Sequence, residues 1–180
     1  QKITVSAVAK EVISLEPGMN LISLVGTPAS SNINDIIGAS DPVDLVVAYD
    51  PSSNNPYGVT AVRNTTTGLL EGDLTTLAPG QAYWVRSTGF VDLKVEIPQL
   101  DPLGSLPEIA VTGGMYNGVG VWLAQRVDGS GNAINSVDAD DYFGTVKWQV
   151  AYTFDPDPAV GWTAVRPGTA DVLSKGKGYL

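Results

Sequence analysis

Short apolar stretches alternate with groups of Gly, Pro, Asn and Asp along the chain, which predicts β-strands joined by turns. Val, Ile and Thr, whose branched side chains favour strands, make up a quarter of the 180 residues. Gly and Pro contribute 20 and 12 residues, enough for many tight turns. The pattern therefore predicts an all-β protein. The predicted strands cover residues 19–25, 43–49, 57–63, 90–97, 119–124, 146–152 and 160–166.

An internal repeat organises these strands. The matching segments are 13–19 with 109–115, 33–36 with 134–137, 47–49 with 150–152, 58–63 with 161–166, and 80–83 with 176–179. The matches keep the same order, and the third and fourth share one constant offset. We therefore interpret the chain as two copies of one β-rich unit, residues 13–83 and 109–179.

A short helical turn is predicted between the first two strands of copy one. Ser31 is a suitable N-cap, Ile33, Ile36 and Ile37 lie on one face, and Gly38 ends the turn. We expect the turn to plug one end of a jelly-roll-like β-sandwich built from the two units.

The predicted domain organisation follows the repeat. Residues 1–12 form an N-terminal extended strand, 13–97 the first unit, 98–108 a Pro-rich linker and 109–180 the second unit. Copy one is extended by strand 90–97, which has no counterpart in copy two. Copy two is thus expected to lack a strand, which leaves an open edge and an apolar groove.

The N-terminal residues have the pattern of a strand that could fill such a groove. Ile3, Val5, Ala7, Ala9 and Ile13 share one face, and no Gly or Pro interrupts them. Donated to a neighbouring molecule, this inter-subunit strand would pair in trans, and a head-to-tail contact of this kind builds a fibre or tube. Pairing within the same chain is the alternative, and strand 90–97 could also serve both copies.

Composition excludes several functions. The chain has no His and no Cys, so it holds no Ser-His-Asp triad, no thiolate nucleophile and no His or Cys zinc site. The formal charge of −9 disfavours nucleic acid as a partner, and no apolar run reaches the length of about 20 residues that a membrane span requires. The first residue, Gln1, is what signal-peptide removal would leave, so we expect an extracellular or cell-surface protein. Asn64, in the triplet Asn64-Thr65-Thr66, is a candidate glycosylation site.

Acidic loops of copy two predict a calcium site. Oxygen-bearing side chains on Gly-rich loops suit calcium, which takes about six to eight oxygen ligands. The segment that begins at Asp128 resembles the start of a calcium loop, although Ala133 stands where the usual Gly is needed. Capping and solvating turns is the ordinary alternative role for these residues. The candidate ligands are Asp128, Ser130, Asn132, Asp138, Asp140, Asp141, Asp155 and Asp157.

Two other chemistries fit the residues less well. Pairs of carboxylates are also compatible with a glycosidase, which uses two acids at the scissile bond. No local feature of the sequence distinguishes an acid with a raised pKa. Exposed aromatic residues would suit a glycan, yet the repeat places Tyr49 and Tyr152 at one position, which favours sheet packing. Arg63 and Arg166 also share a position and are expected to make a salt bridge or a cation–aromatic contact.

Two families share features with this chain. Residues 18–24, GMNLISL, and 79–85, PGQAYWV, resemble the Gly-Trp-Asn-Leu-Ile to Gly-x-x-Tyr-Trp-Val module of prokaryotic surface and S-layer-associated proteins, with Met19 in place of the Trp. The size, the two β units and the acidic loops are together similar to the cannula proteins of hyperthermophilic archaea. That resemblance implies extracellular tubes of jelly-roll-like subunits that assemble by strand donation with the help of calcium.

The resulting prediction is a non-enzymatic extracellular structural protein that assembles with copies of itself into a tube or filament. A monomeric surface module that binds a glycan is the alternative.

Overall fold

The computed structural model of the protein describes residues 9–49, 58–98, 117–121, 123, 128–144 and 146–180. These residues form antiparallel strands with two helices of four and five residues, so the all-β prediction is confirmed. Neither helix is long enough to cross a membrane. The elements are β1 (Ala9–Leu15), β2 (Gly18–Ser23), α1 (Ile33–Ile36), β3 (Val43–Ala48), β4 (Val59–Arg63), β5 (Leu70–Gly72), β6 (Ala82–Ser87), β7 (Val91–Ile97), β8 (Val119–Gly120), β9 (Ser136–Asp138), α2 (Ala139–Phe143), β10 (Ala151–Asp155), β11 (Gly161–Val165), β12 (Val172–Ser174) and β13 (Gly178–Tyr179).

The first unit is a five-stranded sheet covered by a two-stranded ribbon. The sheet has the order β2-β6-β3-β4-β5, and β1 pairs with β7 to form the ribbon. Side chains of the ribbon, of the inner sheet face and of α1 share one apolar core. Ile13 and Leu15 of β1 and Leu93, Val95 and Ile97 of β7 are the ribbon's contribution. Whether the whole chain is a jelly-roll-like sandwich stays a prediction.

The second unit repeats the strand order of the first. Strand β8 pairs with β13, and β10 pairs with β11. The two pairs meet where Tyr152 and Leu180 exchange backbone hydrogen bonds of 2.9 Å in both directions. The order β8-β13-β10-β11 therefore corresponds to β2-β6-β3-β4.

One side-chain contact also occurs in both units. The hydroxyl of Tyr83 accepts a hydrogen bond from the backbone N–H of Ala78 at 2.7 Å. The hydroxyl of Tyr179 accepts the corresponding bond from Ser174 at 2.8 Å, again five residues earlier in the chain. Both tyrosines are fully buried, so each ring fills the core of its unit. Each hydroxyl accepts a hydrogen bond from a backbone N–H of the loop before its strand.

The sequence alignment of the two copies is wrong by one residue in β4 and β11. It matches Val62 with Val165, yet Val62 is 50% exposed whereas Val165 is 4% exposed. Strand residues alternate between faces, so equivalent residues must face the same way. By pairing and burial, Val165 corresponds to Ala61, which lies on the buried face.

The alignment is also wrong for Tyr152 and for the helices. Tyr152 lies opposite the end of β13, and Val47 occupies the corresponding place opposite β6 in the first unit. Tyr152 is therefore equivalent to Val47 and not to Tyr49. The helix of the second unit begins at Ala139 after the N-cap Asp138, whereas residues 134–137 lead into and include β9. In the first unit the N-cap is Asn32 rather than Ser31, because the Asn32 side chain accepts from the backbone of Asn34.

Strand β10 starts later than predicted, at Ala151 rather than near residue 146. Residues 146–150 form a loop instead, and this loop carries Trp148 against Phe143 at the end of α2. Both rings pack on the second apolar core, so the apolar character of this segment reflects loop packing rather than a strand.

The described part of the N-terminal strand pairs within its own chain. Ala9 lies opposite Ile97 and Ile13 opposite Leu93, and Ile13 is buried in the core of the first unit. This corrects the assignment of Ala9 and Ile13 to an inter-subunit strand. Ile3, Val5 and Ala7 of that prediction lie outside the described residues.

The two units meet along β2 and β13. The backbone N–H of Ser23 donates to the carbonyl of Gly176, and its hydroxyl donates to Lys177 and accepts from the N–H of Val121. A Cβ atom at Gly178 would lie 2.7 Å from the carbonyl oxygen of Ile22, so only glycine permits this approach.

Arg63 fastens the loops at one end of the first unit. Its guanidinium donates to the backbone carbonyls of Gly38, Asp41, Val43 and Gly68, at distances of 2.5–3.0 Å. The predicted salt bridge or aromatic contact is therefore wrong, because carbonyl oxygens occupy the donors. Arg166 is exposed and has no such role.

We expect replacement of Arg63 by Met to lower the free energy of unfolding by about 2–4 kcal/mol, because several half-buried carbonyls lose a charged donor. Urea unfolding followed by circular dichroism measures this. The same replacement at Arg166 is the matched control and should change stability by less than about 0.5 kcal/mol. Equal effects at the two positions would contradict the assigned role.

Candidate functional site

The residues predicted to bind calcium lie in three separate turns of the second unit. Among the described residues, no three acidic side chains come together in a way that could hold a metal ion. Calcium binding by these turns stays a prediction. Asp128, Ser130 and Asn132 share the first turn, Asp138, Asp140 and Asp141 lie at the start of α2, and Asp155 and Asp157 lie where β10 turns into β11.

Backbone N–H groups already donate to three of the carboxylates in the first two turns, those of Asp128, Asp138 and Asp140. The Asp128 carboxylate accepts from the backbone N–H groups of Ser130 and Asn132 and from the Asn132 side chain. These bonds, those from Asn132 foremost, lower the pKa of Asp128. Asp138 caps α2, and Asp140 accepts from the backbone N–H of Gly168 at 2.7 Å, which ties α2 to the turn between β11 and β12.

Asp155 is the one predicted ligand that forms an ion pair. Its carboxylate lies 2.9 Å from the ammonium of Lys177 and also accepts from the backbone N–H of Asp157. The hydrogen bond from Lys177 is the main reason that the pKa of Asp155 is lowered. Lys177 lies just before β13, where its backbone also bridges to Ile22 of β2.

The glycosylation candidate Asn64 lies in a tight turn after β4. Its side-chain oxygen accepts from the backbone of Thr66 at 2.8 Å, and its Nδ2 donates to Glu71 at 2.9 Å. The hydrogen bonds from Asn64 and Thr67 lower the pKa of Glu71. A glycan on Nδ2 would replace the bond to Glu71, and glycosylation stays a prediction.

The aromatic residues separate into core and junction positions. Tyr83 and Tyr179 are core residues, as expected from the repeat. At the junction, the Trp162 ring contacts Trp84 at 5.6 Å and Phe154 at 5.2 Å, yet its side chain is 53% exposed. Trp162 is thus an exposed indole held in place by its neighbours. Trp122 and Tyr57 lie outside the described residues.

A cleft of about 200 Å³ separates β1 from the second unit. Val12 and Ser14 line one wall, and Phe154, Pro156 and Lys175 line the other. At the end of the cleft, the ammonium of Lys175 lies 2.6 Å from the carboxylate of Glu11, in a pair that is mostly shielded from solvent. This contact fixes the distance between β1 and the second unit.

The wall formed by β1 is a strand edge that pairs with no strand in the described part of the chain. The backbone carbonyl of Glu96 accepts from Ala29 and so points away from β1. Its partner Lys10 therefore also points its N–H and C=O away from β7, and by alternation so do Val12 and Ser14. Within the described residues, none of these backbone groups has a hydrogen-bond partner.

Strand β11 has a second, shorter open edge. Because Tyr152 bonds to Leu180, its opposite residue Ala164 directs its N–H and C=O away from β10, and Trp162 does the same. In the first unit the corresponding edge of β4 is covered by β5. In the second unit β12 pairs with β9 instead, so in the described part of the chain β11 pairs with β10 alone.

The sequence predicted an open edge in the second unit but missed the edge of β1. The signal was present, because residues 9–15 and 91–97 have matching length and alternation, as expected for a pair of strands. The ion pair of Glu11 with Lys175 had no sequence signal, since its residues lie far apart in the chain.

Comparison with known proteins gives no relative: no protein family, curated protein or solved structure matches this chain.

The Asp155 ion pair predicts a pH-dependent contribution to stability. Its pKa is lowered in the folded state, so the contribution is present above the ordinary carboxyl pKa of about 4 and is lost as the pH falls through the folded value. We expect Asp155→Asn to lower the free energy of unfolding at pH 7 by about 0.5 kcal/mol, because solvent screens a partly exposed pair.

Urea unfolding at pH 7 and pH 2 measures this difference, which should become smaller at the lower pH because protonation of Asp155 removes the ion pair. Asparagine retains an acceptor for the N–H of Asp157, so the substitution isolates the charge. Asp73→Asn is the control, since the Asp73 side chain has no hydrogen bond or ion pair within the described residues. An equal loss at both pH values would contradict an electrostatic origin.

Proposed function

We propose that this protein is a non-enzymatic extracellular structural subunit that assembles with copies of itself into a tube or filament by pairing strands at open sheet edges. The observation that carries the proposal is the outer edge of β1, which pairs with no strand other than β7 in the described part of the chain. Calcium bound in the acidic turns of the second unit would assist assembly.

The physical basis is the cost of leaving strand edges open. Unpaired N–H and C=O groups in a row form a template for another strand, and monomeric proteins block such edges with charges, bulges or covering loops. Here Val12, at the centre of the β1 edge, is 53% exposed and apolar. Trp162 on the β11 edge is equally exposed. Apolar side chains beside open edges favour association over protection.

Two features of the sequence support the same proposal. The chain has no His or Cys, the residues that most often carry acid–base and nucleophilic catalysis. The resemblance to cannula-type subunits also implies an extracellular polymer.

The second candidate function is a monomeric glycan-binding module. It is favoured by the exposed Trp162 indole, whose fixed face could stack against a sugar ring. Oligomeric state separates the two candidates, because the glycan module needs no contact between copies.

We expect Val12→Lys to reduce assembly strongly, because a lysine at the centre of an open edge opposes strand addition. Light scattering and electron microscopy of the purified protein measure assembly. Val62→Lys is the matched control: Val62 is 50% exposed on β4, a strand that is paired on both sides, so this variant should assemble like the parent protein.

Both substitutions leave the buried faces unchanged, so circular dichroism should show the same fold in each variant. A parent protein that is monomeric at all concentrations contradicts the proposed function. Equal loss of assembly in the two variants contradicts pairing at the β1 edge.

A further inference from the structure

We infer that β11 pairs with the β11 strand of a second copy across a two-fold axis, so that Trp162 of each copy lies opposite Ala164 of the other. The inference rests on the proposed function, because it names the partner and the register at one of the open edges. A two-fold contact closes into a dimer, so the inferred dimer is a building block and a polymer needs a further contact elsewhere on the subunit.

The first argument is that the edge of β11 is open and accessible. The N–H and C=O groups of Trp162 and Ala164 point away from β10 and have no hydrogen-bond partner among the described residues. The side chain of Trp162 is 53% exposed, and that of Thr163 is exposed as well. No residue of β11 lines the cleft beside β1, so the Glu11–Lys175 pair does not restrict this edge.

The second argument is that internal hydrogen bonds limit the edge at both ends. Before the strand, the N–H of Val160 donates to a carbonyl of the β10–β11 turn at 2.9 Å. After the strand, the N–H and C=O of Arg166 are bonded within the following turn, at 3.1 and 2.6 Å. The backbone groups left for a partner strand are therefore those of Trp162 and Ala164.

These limits select one register. In an antiparallel pair, residues that face each other through the edge exchange both of their N–H···O=C bonds. Pairing Trp162 with Ala164 of the second copy therefore gives every open group a partner. Moving the register one way would place Val160 opposite Ala164, and moving it the other way would place Arg166 opposite Trp162. The N–H groups of Val160 and Arg166 are already bonded, so neither register satisfies the edge.

The side chains also fit this register. The indole of Trp162, which lies 5.2 Å from the ring of Phe154, comes beside the small side chain of Ala164 of the second copy. Thr163 lies on the axis, opposite Thr163 of the second copy, and cross-strand Thr–Thr pairs stabilise sheets. The contact thus removes an exposed apolar ring from water, which favours association.

The charges at the ends of the strand are complementary. The register places Arg166 opposite Val160 of the second copy, beside the turn that carries Asp157. The two-fold axis repeats this approach at the other end of the contact. A positive residue beside an acidic turn at both ends favours the antiparallel arrangement.

Disulfide trapping tests the position of the axis, because the chain has no Cys. Residue 163 faces itself in a pair without hydrogen bonds, where Cα atoms lie about 4.5 Å apart, within the range that a disulfide bridges. We expect Thr163→Cys in the full chain to give a covalent dimer after mild oxidation, seen on a denaturing gel without reducing agent.

Val160→Cys is the matched control for this experiment. Val160 is 54% exposed, but in the inferred register its two copies are separated by about 20 Å along the strands, so this variant should stay monomeric on the gel.

A second variant tests the backbone pairing itself. Ala164→Pro removes an N–H that faces the open edge, and proline is tolerated at such a position because the monomer loses no strand hydrogen bond. We expect an unchanged circular dichroism spectrum and a smaller mean mass than that of the parent protein in light scattering. An unchanged mean mass would contradict pairing through this edge.

The outcomes separate the inference from the proposed function. If the parent protein assembles but Thr163→Cys gives no covalent dimer, or Val160→Cys gives as much, the inference is wrong and the structural role stands. A covalent Thr163→Cys dimer with a parent protein that stops at the dimer supports the inference and contradicts the tube or filament. A parent protein that is monomeric at all concentrations, with no covalent product, contradicts both.

Discussion

Main-chain hydrogen bonding between antiparallel strands is the constraint on which this structure depends. Each unit satisfies it in the same order, with the strand that carries the buried tyrosine at the second position of the sheet. Where the described residues provide no neighbouring strand, backbone groups have no partner among them, as along β1 and β11. The asymmetry between the two units is therefore the origin of the open edge of β11, because β5 covers β4 whereas β12 pairs with β9.

Single side chains form hydrogen bonds with backbone groups of the loops that no strand pairs with. Burial raises the pKa of Tyr83, whose hydroxyl is bonded to the loop before its strand, and Tyr179 repeats this contact in the second unit. Arg63 binds four carbonyls at one end of the first sheet. These groups act where turns bring carbonyl and N–H groups together without a strand partner.

The seam between the two units, which β2 and β13 form, brings their backbones into close contact. A short ion pair lies beside it. Ser23, Gly120 and Gly178 allow the backbones of the two units to touch, and a side chain at either glycine would overlap main-chain atoms. Beside the seam, Glu11 and Lys175 span the cleft next to β1. This ion pair holds β1 at a fixed distance from the second unit.

The sequence by itself determined the all-β class, the two repeated units and the likeness of Tyr83 and Tyr179, because alternation, turn residues and buried aromatics are local signals. It also predicted strand 91–97 and the apolar face of α1 nearly as they occur. It did not determine the pairing of Ala9–Leu15 with β7 or the separation of the acidic turns. It also did not determine which residues of β11 are equivalent to which residues of β4. Only the tertiary structure decided these, because which strands pair, and in which register, depends on contacts between residues far apart in the chain, where a shift of one residue exchanges the buried and exposed faces.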